Sequence, residues 1–279
     1  MPLITPDASP PTRSTPTHAR AARSTPARSA PASAPAAAPL KVQGAGTPFG
    51  FSAVRIDDLG ATEYTLAVIA ADTSGSVAPF LRHIEAAVGA VVQACRRSPR
   101  ADHLLLRLTR FDDDCGEVHG FRTLAELDPQ AYAGALRSGG CTALYDATLN
   151  AVASVNTYGA QLARHHFEVN GIVFVLTDGQ DNRSQHSAAQ VAEAVRAARQ
   201  AERLESLTTV LIGVNLADAR VRDDLNAFAR AADFTQFLAL EQADAAALAR
   251  VADFVSRCVS AQSTCLGSGA GPALPVLSF

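Results

Sequence analysis

Residues 66–76 read Leu66-Ala67-Val68-Ile69-Ala70-Ala71-Asp72-Thr73-Ser74-Gly75-Ser76. The first six are apolar without alternation, as expected of a strand whose sheet is covered on both faces. The chain leaving that strand presents one carboxylate and two hydroxyls at alternate positions, and Gly75 lets the backbone turn tightly between the serines. A second apolar run, Ile172-Val173-Phe174-Val175-Leu176, ends in Thr177-Asp178-Gly179. Between the two, Gly139-Gly140-Cys141-Thr142 leads into a helical pattern.

Outward from these runs, strands alternate with helices. Phe51 to Ile56 reads as a short strand, Asp57-Asp58-Leu59-Gly60 as a turn, and Tyr64 to Ala71 as a strong strand, together an edge hairpin. Helical spacing follows through Val77, Leu81, Ile84, Val88, Val91 and Cys95. Leu104 to Phe111 and Val118 to Phe121 are expected to pair antiparallel across the Asp112 to Gly116 turn. A short helix over Leu124 to Leu136, distorted near Pro129, precedes a longer one over Tyr145 to His166. After the strand Gly171 to Leu176 the pattern continues as helix Ser187 to Ala201, strand Leu207 to Val214, helix Arg220 to Ala231, strand Thr235 to Leu238 and helix Ala243 to Cys258. This order predicts an α/β fold with a doubly wound, mostly parallel sheet, one antiparallel edge strand, helices on both faces and an extra N-terminal edge strand.

The first 47 residues of the 279 are almost entirely Ala, Pro, Ser, Thr and Arg, and contain no apolar cluster to offset the entropy of ordering. They are expected to form a disordered tail over 1–47, before a folded domain over 48–262 and a flexible end over 263–279. The tail carries Arg13, Arg20, Arg23, Arg28 and Lys41 against Asp7 alone, so it is basic while the folded part is acidic. Lys41 is the only lysine among 24 basic residues, which marks a general arginine bias rather than a special arginine patch. Without a continuous basic stripe on the folded part, sequence-specific nucleic-acid binding is not expected. No apolar run approaches membrane-spanning length, and the start lacks a basic stretch followed by an apolar segment, so neither a membrane span nor export is expected. The five cysteines, at 95, 115, 141, 258 and 265, show no paired metal-ligand spacing and suit a reducing cytoplasm.

Ligands of open α/β sheets collect beyond the carboxyl ends of the strands. Asp72 and Asp178 both stand there, so their carboxylates converge despite their separation in sequence. Ser74 and Ser76 add hydroxyls, and Thr142 adds another from a third loop. An oxygen-only set with few carboxylates favours Mg2+ over Zn2+, which prefers His or Cys. The expected contacts are Ser74, Ser76 and Thr142, with Asp72 and Asp178 acting directly or through water. Each piece also has a plainer reading: a serine capping the helix that follows, Thr142 as a cap, and Asp178-Gly179 as a turn. Their order along the chain is what favours the metal.

These five positions, Asp72, Ser74, Ser76, Thr142 and Asp178, resemble the metal-ion-dependent adhesion site of a von Willebrand factor type A (VWA) domain: Asp-x-Ser-x-Ser, then a distant Thr, then a distant Asp after an apolar strand. The match spans about Tyr64 to Cys258. Such domains bind Mg2+, with Mn2+ or Ca2+ as substitutes, and mediate protein interaction. Gly139 to Asp146 and Asp178 to Asn182 look like intracellular bacterial members, which often assist ATPases, stress-response systems or assembly machines. The resemblance therefore implies a partner that presents Glu or Asp to the metal.

The leading expectation is a Mg2+-dependent protein-interaction module and not an enzyme. A Mg2+-dependent hydrolase or phosphoryl-transfer enzyme is the alternative, but a general base, a second metal cluster and a phosphate-binding Gly-x-x-x-x-Gly-Lys-Ser/Thr loop are missing. A structural domain with an unused metal site is the third possibility. Among other polar residues, one of Asp112, Asp113 and Asp114 is a candidate to hydrogen-bond the Thr142 loop. Asp146 is a candidate to steady its helix, and Asp181 and Asn182 to shape the loop after Asp178. His165 and His166 near a helix end, and Cys141 without a local histidine, have no assigned chemistry.

Overall fold

Both apolar runs become central strands. The computed structural model describes residues 40–43, 50–268 and 272–275. In chain order the strands are β1 (Leu40–Gln43), β2 (Gly50–Ala53), β3 (Glu63–Asp72), β4 (Leu104–Phe111), β5 (Cys115–Thr123), β6 (Glu168–Thr177), β7 (Leu207–Gly213) and β8 (Gln236–Ala239). The helices are α1 (Leu81–Arg96), α2 (Leu144–Arg164), α3 (Ala188–Gln200), α4 (Ala219–Ala231) and α5 (Ala245–Thr264). They build one eight-stranded sheet in the order β1-β2-β5-β4-β3-β6-β7-β8. The pairs from β4 through β3, β6 and β7 to β8 are parallel, while β5 runs antiparallel to β4.

Two apolar clusters cover the two faces. On one, Ile84, Val88, Val91 and Cys95 of α1 and Val251, Phe254 and Val255 of α5 pack on Ala67, Ile69, Leu106, Ile172 and Phe174. On the other, α2, α3 and α4 cover Leu66, Val68, Val173, Val175 and Leu211. Each such side chain fully buried is worth roughly 1.5–3 kcal/mol, so the sheet does not need a metal to hold it together. Among the described residues, no helix is long and apolar enough to cross a membrane.

Several sequence expectations change. Leu40–Gln43, placed in the tail by composition, is a strand paired antiparallel to β2; the rest of the 1–47 tail lies outside the described residues. The hairpin expected between Phe51–Ile56 and Tyr64–Ala71 does not form, because β4 and β6 take both edges of β3. Instead β2 lies parallel to β5 through Ala53 and Phe121, with the Val54 amide donating to the Phe121 carbonyl at 3.0 Å. The helix expected from Val77 starts as a 3-10 segment, Gly75–Phe80, and becomes α-helical only at Leu81. Pro79 explains the delay, since it lacks a donor and disfavours α geometry at the residue before it. The helix expected over Leu124 to Leu136 is two 3-10 turns, Leu124–Glu126 and Pro129–Tyr132, and Gly134 at φ +75° ends it. Finally, α5 runs past Cys258 and past the expected domain end at 262, because Gln262 turns inward to Thr208 and Ser206.

The N-terminal strands dock through a close backbone approach. A Cβ on Gly120 would stand 1.9 Å from the Ser52 carbonyl oxygen, a separation no side chain tolerates. Gly120→Ala is therefore expected to push β2 off β5, costing about 1–3 kcal/mol by overpacking. Amide hydrogen exchange would show this as faster exchange over β1 and β2 with β3 and β6 still protected. Unchanged protection of β2 would show that the strand docks by some other route.

Candidate metal centre

Strand order reverses about β3, whose neighbours β4 and β6 are reached by connections running in opposite directions. The carboxyl ends of β3 and β6 therefore open into the crevice where ligands of such sheets gather. Asp72 is the last residue of β3, Thr177 the last of β6, and Asp178 the next. The register places Ala71 opposite Leu176, which brings the Thr177 hydroxyl onto the Asp72 Oδ2 at 2.6 Å.

A chain of hydrogen bonds joins four of the five sequence-predicted residues. The Ser74 amide donates to Asp72 Oδ1 at 2.7 Å. The Ser74 and Ser76 hydroxyls are 3.2 Å apart, and the Ser76 hydroxyl donates to Asp178 Oδ1 at 2.8 Å. Thr142 is held in the same loop cluster by its backbone. Its amide donates to Asn182 Oδ1 at 2.8 Å, and its carbonyl accepts from the Asn182 amide at 3.1 Å. Its neighbours close the gap to the first loop: Gly139 N–H donates to the Thr73 carbonyl at 2.9 Å and Gly75 N–H to the Gly140 carbonyl at 3.2 Å. Gly140 sits at φ +73°, the left-handed region that favours glycine. Among the described residues the Thr142 hydroxyl makes no hydrogen bond to the other four.

Electrostatics single out Asp72. Its side chain is 0% exposed, and its pKa rises to about 6 because burial strips the carboxylate of water, against hydrogen bonds from Thr177 and Ser74, with Asp178 adding repulsion. The pKa of Asp178, half-buried, also rises through burial, opposed by the Ser76 hydroxyl. Among the described residues neither carboxylate is in an ion pair with Lys, Arg or His. Two carboxylates and neighbouring hydroxyls without a cation are a donor set that fits a hard divalent ion. No group of three or more His, Cys, Asp or Glu side chains among the described residues is placed to hold a metal, so any ion here depends on the hydroxyls.

Sequence reasoning anticipated some supports and missed others. Asp113 Oδ1 accepts the Cys141 amide at 3.1 Å, which is the expected tie between the acidic turn and the Thr142 loop. Asp112 and Asp114 instead pair with Arg110. Asp146 accepts the Gln185 and His186 amides and pairs with the His186 ring at 2.7 Å, so it fastens the loop after β6 to α2. Thr177, which donates to Asp72, and Thr73, whose hydroxyl donates to the Phe111 carbonyl at 3.0 Å, have no role in the sequence reading. The signal for Thr177 was a hydroxyl at the end of a buried strand, one residue before the carboxylate.

No protein-family model matches the chain, and no curated protein matches it. Among solved structures, the chain is similar to the pilus adhesin SpaC of Lactobacillus rhamnosus GG in its open conformation, with a TM-score of 0.53 at 14% identity over 71% of this chain and 30% of that one. It is also similar to the PilB minor pilin of Streptococcus sanguinis, with a TM-score of 0.52 at 13% identity over 78% of this chain and 66% of that one. The eight-stranded, mostly parallel sheet with its antiparallel pair and helices on both faces fits a Rossmann-like VWA fold. At these identities the likeness carries the fold alone. The chain spans under a third of SpaC and just under two thirds of PilB.

Proposed function

We propose that this VWA domain is a protein-interaction module that binds a divalent cation and, through it, an acidic side chain of a partner. Mg2+ is the preferred ion, with Mn2+ or Ca2+ as substitutes. Ser74, Ser76 and Thr142 would hold it, and Asp72 and Asp178 would act directly or through water. The bound ion would supply a Lewis-acidic position for a partner's Glu or Asp. The observation that carries this reading is the uncompensated Asp72 carboxylate, buried at the sheet's crevice and accepting hydrogen bonds from the Ser74 amide and the Thr177 hydroxyl with no cation beside it. Two carboxylates and one divalent ion sum to zero, so a third carboxylate can approach only when the metal is present.

The proposal is of a binder rather than an enzyme. Among the described residues the Ser76 hydroxyl donates to the Asp178 carboxylate at 2.8 Å, a group this reading assigns to the metal rather than to activating a nucleophile. Five unpaired thiols, two of them in the core, suit a reducing cytoplasm. The family resemblance adds an ATPase or stress-response component as the class of partner.

The test begins with the metal. Titration of Mg2+ into the EDTA-treated chain is expected to raise the melting temperature, by an amount that corresponds to about 2.7 kcal/mol when the ion is at a hundred times its Kd. Partner capture from the native cell extract is then expected to fall at least ten-fold in EDTA and return when Mg2+ is restored. Capture that persists unchanged in EDTA would sink the proposal.

A further inference from the structure

A cavity of about 360 Å3 lies beside the loop that carries Asp178. It is at the lower end of the roughly 300–1,000 Å3 typical of ligand sites. Its wall is apolar and aromatic: Tyr145 of α2 and Leu225 and Phe228 of α4, with the Tyr145 and Phe228 rings 4.6 Å apart between centroids. Its rim is acidic, formed by Asp181 of the loop and Asp224 of α4, with Gln180 bridging to Asp224.

The rim carboxylates lack a cation. Asp181 accepts from the Ser184 hydroxyl and the Tyr145 amide, and Asp224 from Gln180. Among the described residues neither is in an ion pair. Their field reaches the cavity: the Tyr145 phenol has its pKa raised, first by burial and then by Asp181 and Asp224. An aromatic wall under two unneutralised carboxylates is complementary to a guanidinium, whose stem packs on apolar surface while its plane stacks on a ring and its N–H groups reach carboxylate oxygens.

We propose that this cavity receives an arginine side chain of the protein partner, next to the place where the partner's carboxylate meets the metal. The inference rests on the metal reading for where the partner lies. Gln180 and Asp181 follow Asp178 by two and three residues, a stretch that spans at most about 11 Å. A partner segment with an acidic residue and an arginine a few positions apart therefore reaches both subsites. The arginine subsite consists of this chain's own carboxylates and rings, so it works with or without the ion.

The probes are N-acetyl-arginine amide and its neutral isostere N-acetyl-citrulline amide, titrated into the full chain and followed by amide chemical shifts, in Mg2+ and again in EDTA. The arginine probe is expected to give saturable shifts at Tyr145, Gln180, Asp181 and Phe228, changing less than three-fold in affinity on metal removal. Citrulline is expected to bind at least ten-fold more weakly. Asp224→Lys, which places a cation in the cavity, is expected to abolish arginine binding, and Asp224→Asn to weaken it; shifts elsewhere report whether each variant is folded. No saturable binding, equal binding of citrulline, or full binding to folded Asp224→Lys overturns the proposal. Mg2+-induced shifts at Ser74, Ser76 and Thr142 are read in the same samples. If they appear without arginine binding, the subsite alone fails; if arginine binds without them, the metal reading fails and the subsite stands.

Discussion

Asp72→Asn is expected to stabilise the metal-free chain at neutral pH and at the same time to remove its response to Mg2+. The two effects share one cause. The Asp72 carboxylate is fully buried, and its pKa rises from 3.8 to about 6 mainly by desolvation. At 1.36 kcal/mol per unit, that shift makes the ionised group cost the folded state about 3 kcal/mol. The sign follows from proton binding. Between pH 3.8 and about 6 the folded chain keeps a proton that the unfolded chain has released, so stability falls as pH rises through that window and the cost is fully present above it. Asparagine has the same shape and satisfies the same neighbours: its oxygen accepts from the Ser74 amide, and its NH2 donates to the Thr177 hydroxyl, which keeps its bond to the Gly179 carbonyl.

In EDTA at pH 7 the variant should therefore melt on the order of 5–10 °C above the parent, and its stability should decline less than the parent's between pH 4 and pH 6, where Asp178 still contributes. With Mg2+ the gap narrows, because the parent gains about 2.7 kcal/mol at a hundred times its Kd. Loss of even an indirect carboxylate contact typically weakens metal binding about 10–100-fold, so the variant should show little of the Mg2+-dependent rise. Thermal melts of both chains across pH, with and without Mg2+, read the whole pattern. A variant that is less stable than its parent in EDTA would mean that Asp72 is compensated in the apo fold. A variant that still gains fully from Mg2+ would place the ion elsewhere.

The parts of this molecule that were legible in the sequence are those with a strong local signal. Uninterrupted apolar runs at Leu66–Ala71 and Ile172–Leu176 marked strands buried on both faces, and the polar residues at their ends had to fall at the carboxyl edge. What escaped depends on contacts between distant segments. Leu40–Gln43 looks like the end of an Ala/Pro tail, and it is a strand only because β2 offers it an edge. The placement of β2 beside β5 was hidden because it turns on Gly120, whose missing side chain admits the Ser52 carbonyl. Gln262 ended the apolar periodicity of α5, yet it is buried because Thr208 and Ser206 await it. At the metal centre the ligand types were legible and Asn182 shapes the loop as its place after Asp178 suggested, whereas the bond from the Thr177 hydroxyl to Asp72 depends on the register between β3 and β6.

Arg107 is the largest stability effect expected outside that centre, and the sequence does mark it: one arginine inside Leu104-Leu105-Leu106-Arg107-Leu108, in a strand with both faces covered. Its side chain is 1% exposed, and burial lowers its pKa against the opposing pull of Glu117. Its Nε donates to Glu117 at 3.1 Å and one terminal nitrogen to Asn150 Oδ1 at 2.8 Å and Ser154 at 3.2 Å. The guanidinium also lies 5.5 Å from the Phe51 ring centroid. Glu117 in turn accepts from the Ser52 amide and hydroxyl, so one buried cation joins β4, β5, α2 and the N-terminal β2. Removing one partner of such a pair strands the other charge, at about 3–5 kcal/mol, whereas replacing both by neutral groups costs much less. Arg107→Met is thus expected to lose about 3 kcal/mol or more in urea unfolding, and Arg107→Met with Glu117→Gln to recover part of that loss. Hydrogen exchange should show β2 released in the single variant, as in Gly120→Ala, but with α2 loosened as well because Asn150 and Ser154 lose their donor. A single variant within about 1 kcal/mol of the parent, no larger than the net worth of one ordinary hydrogen bond, would mean that packing alone holds β2, with the ion pair a passenger.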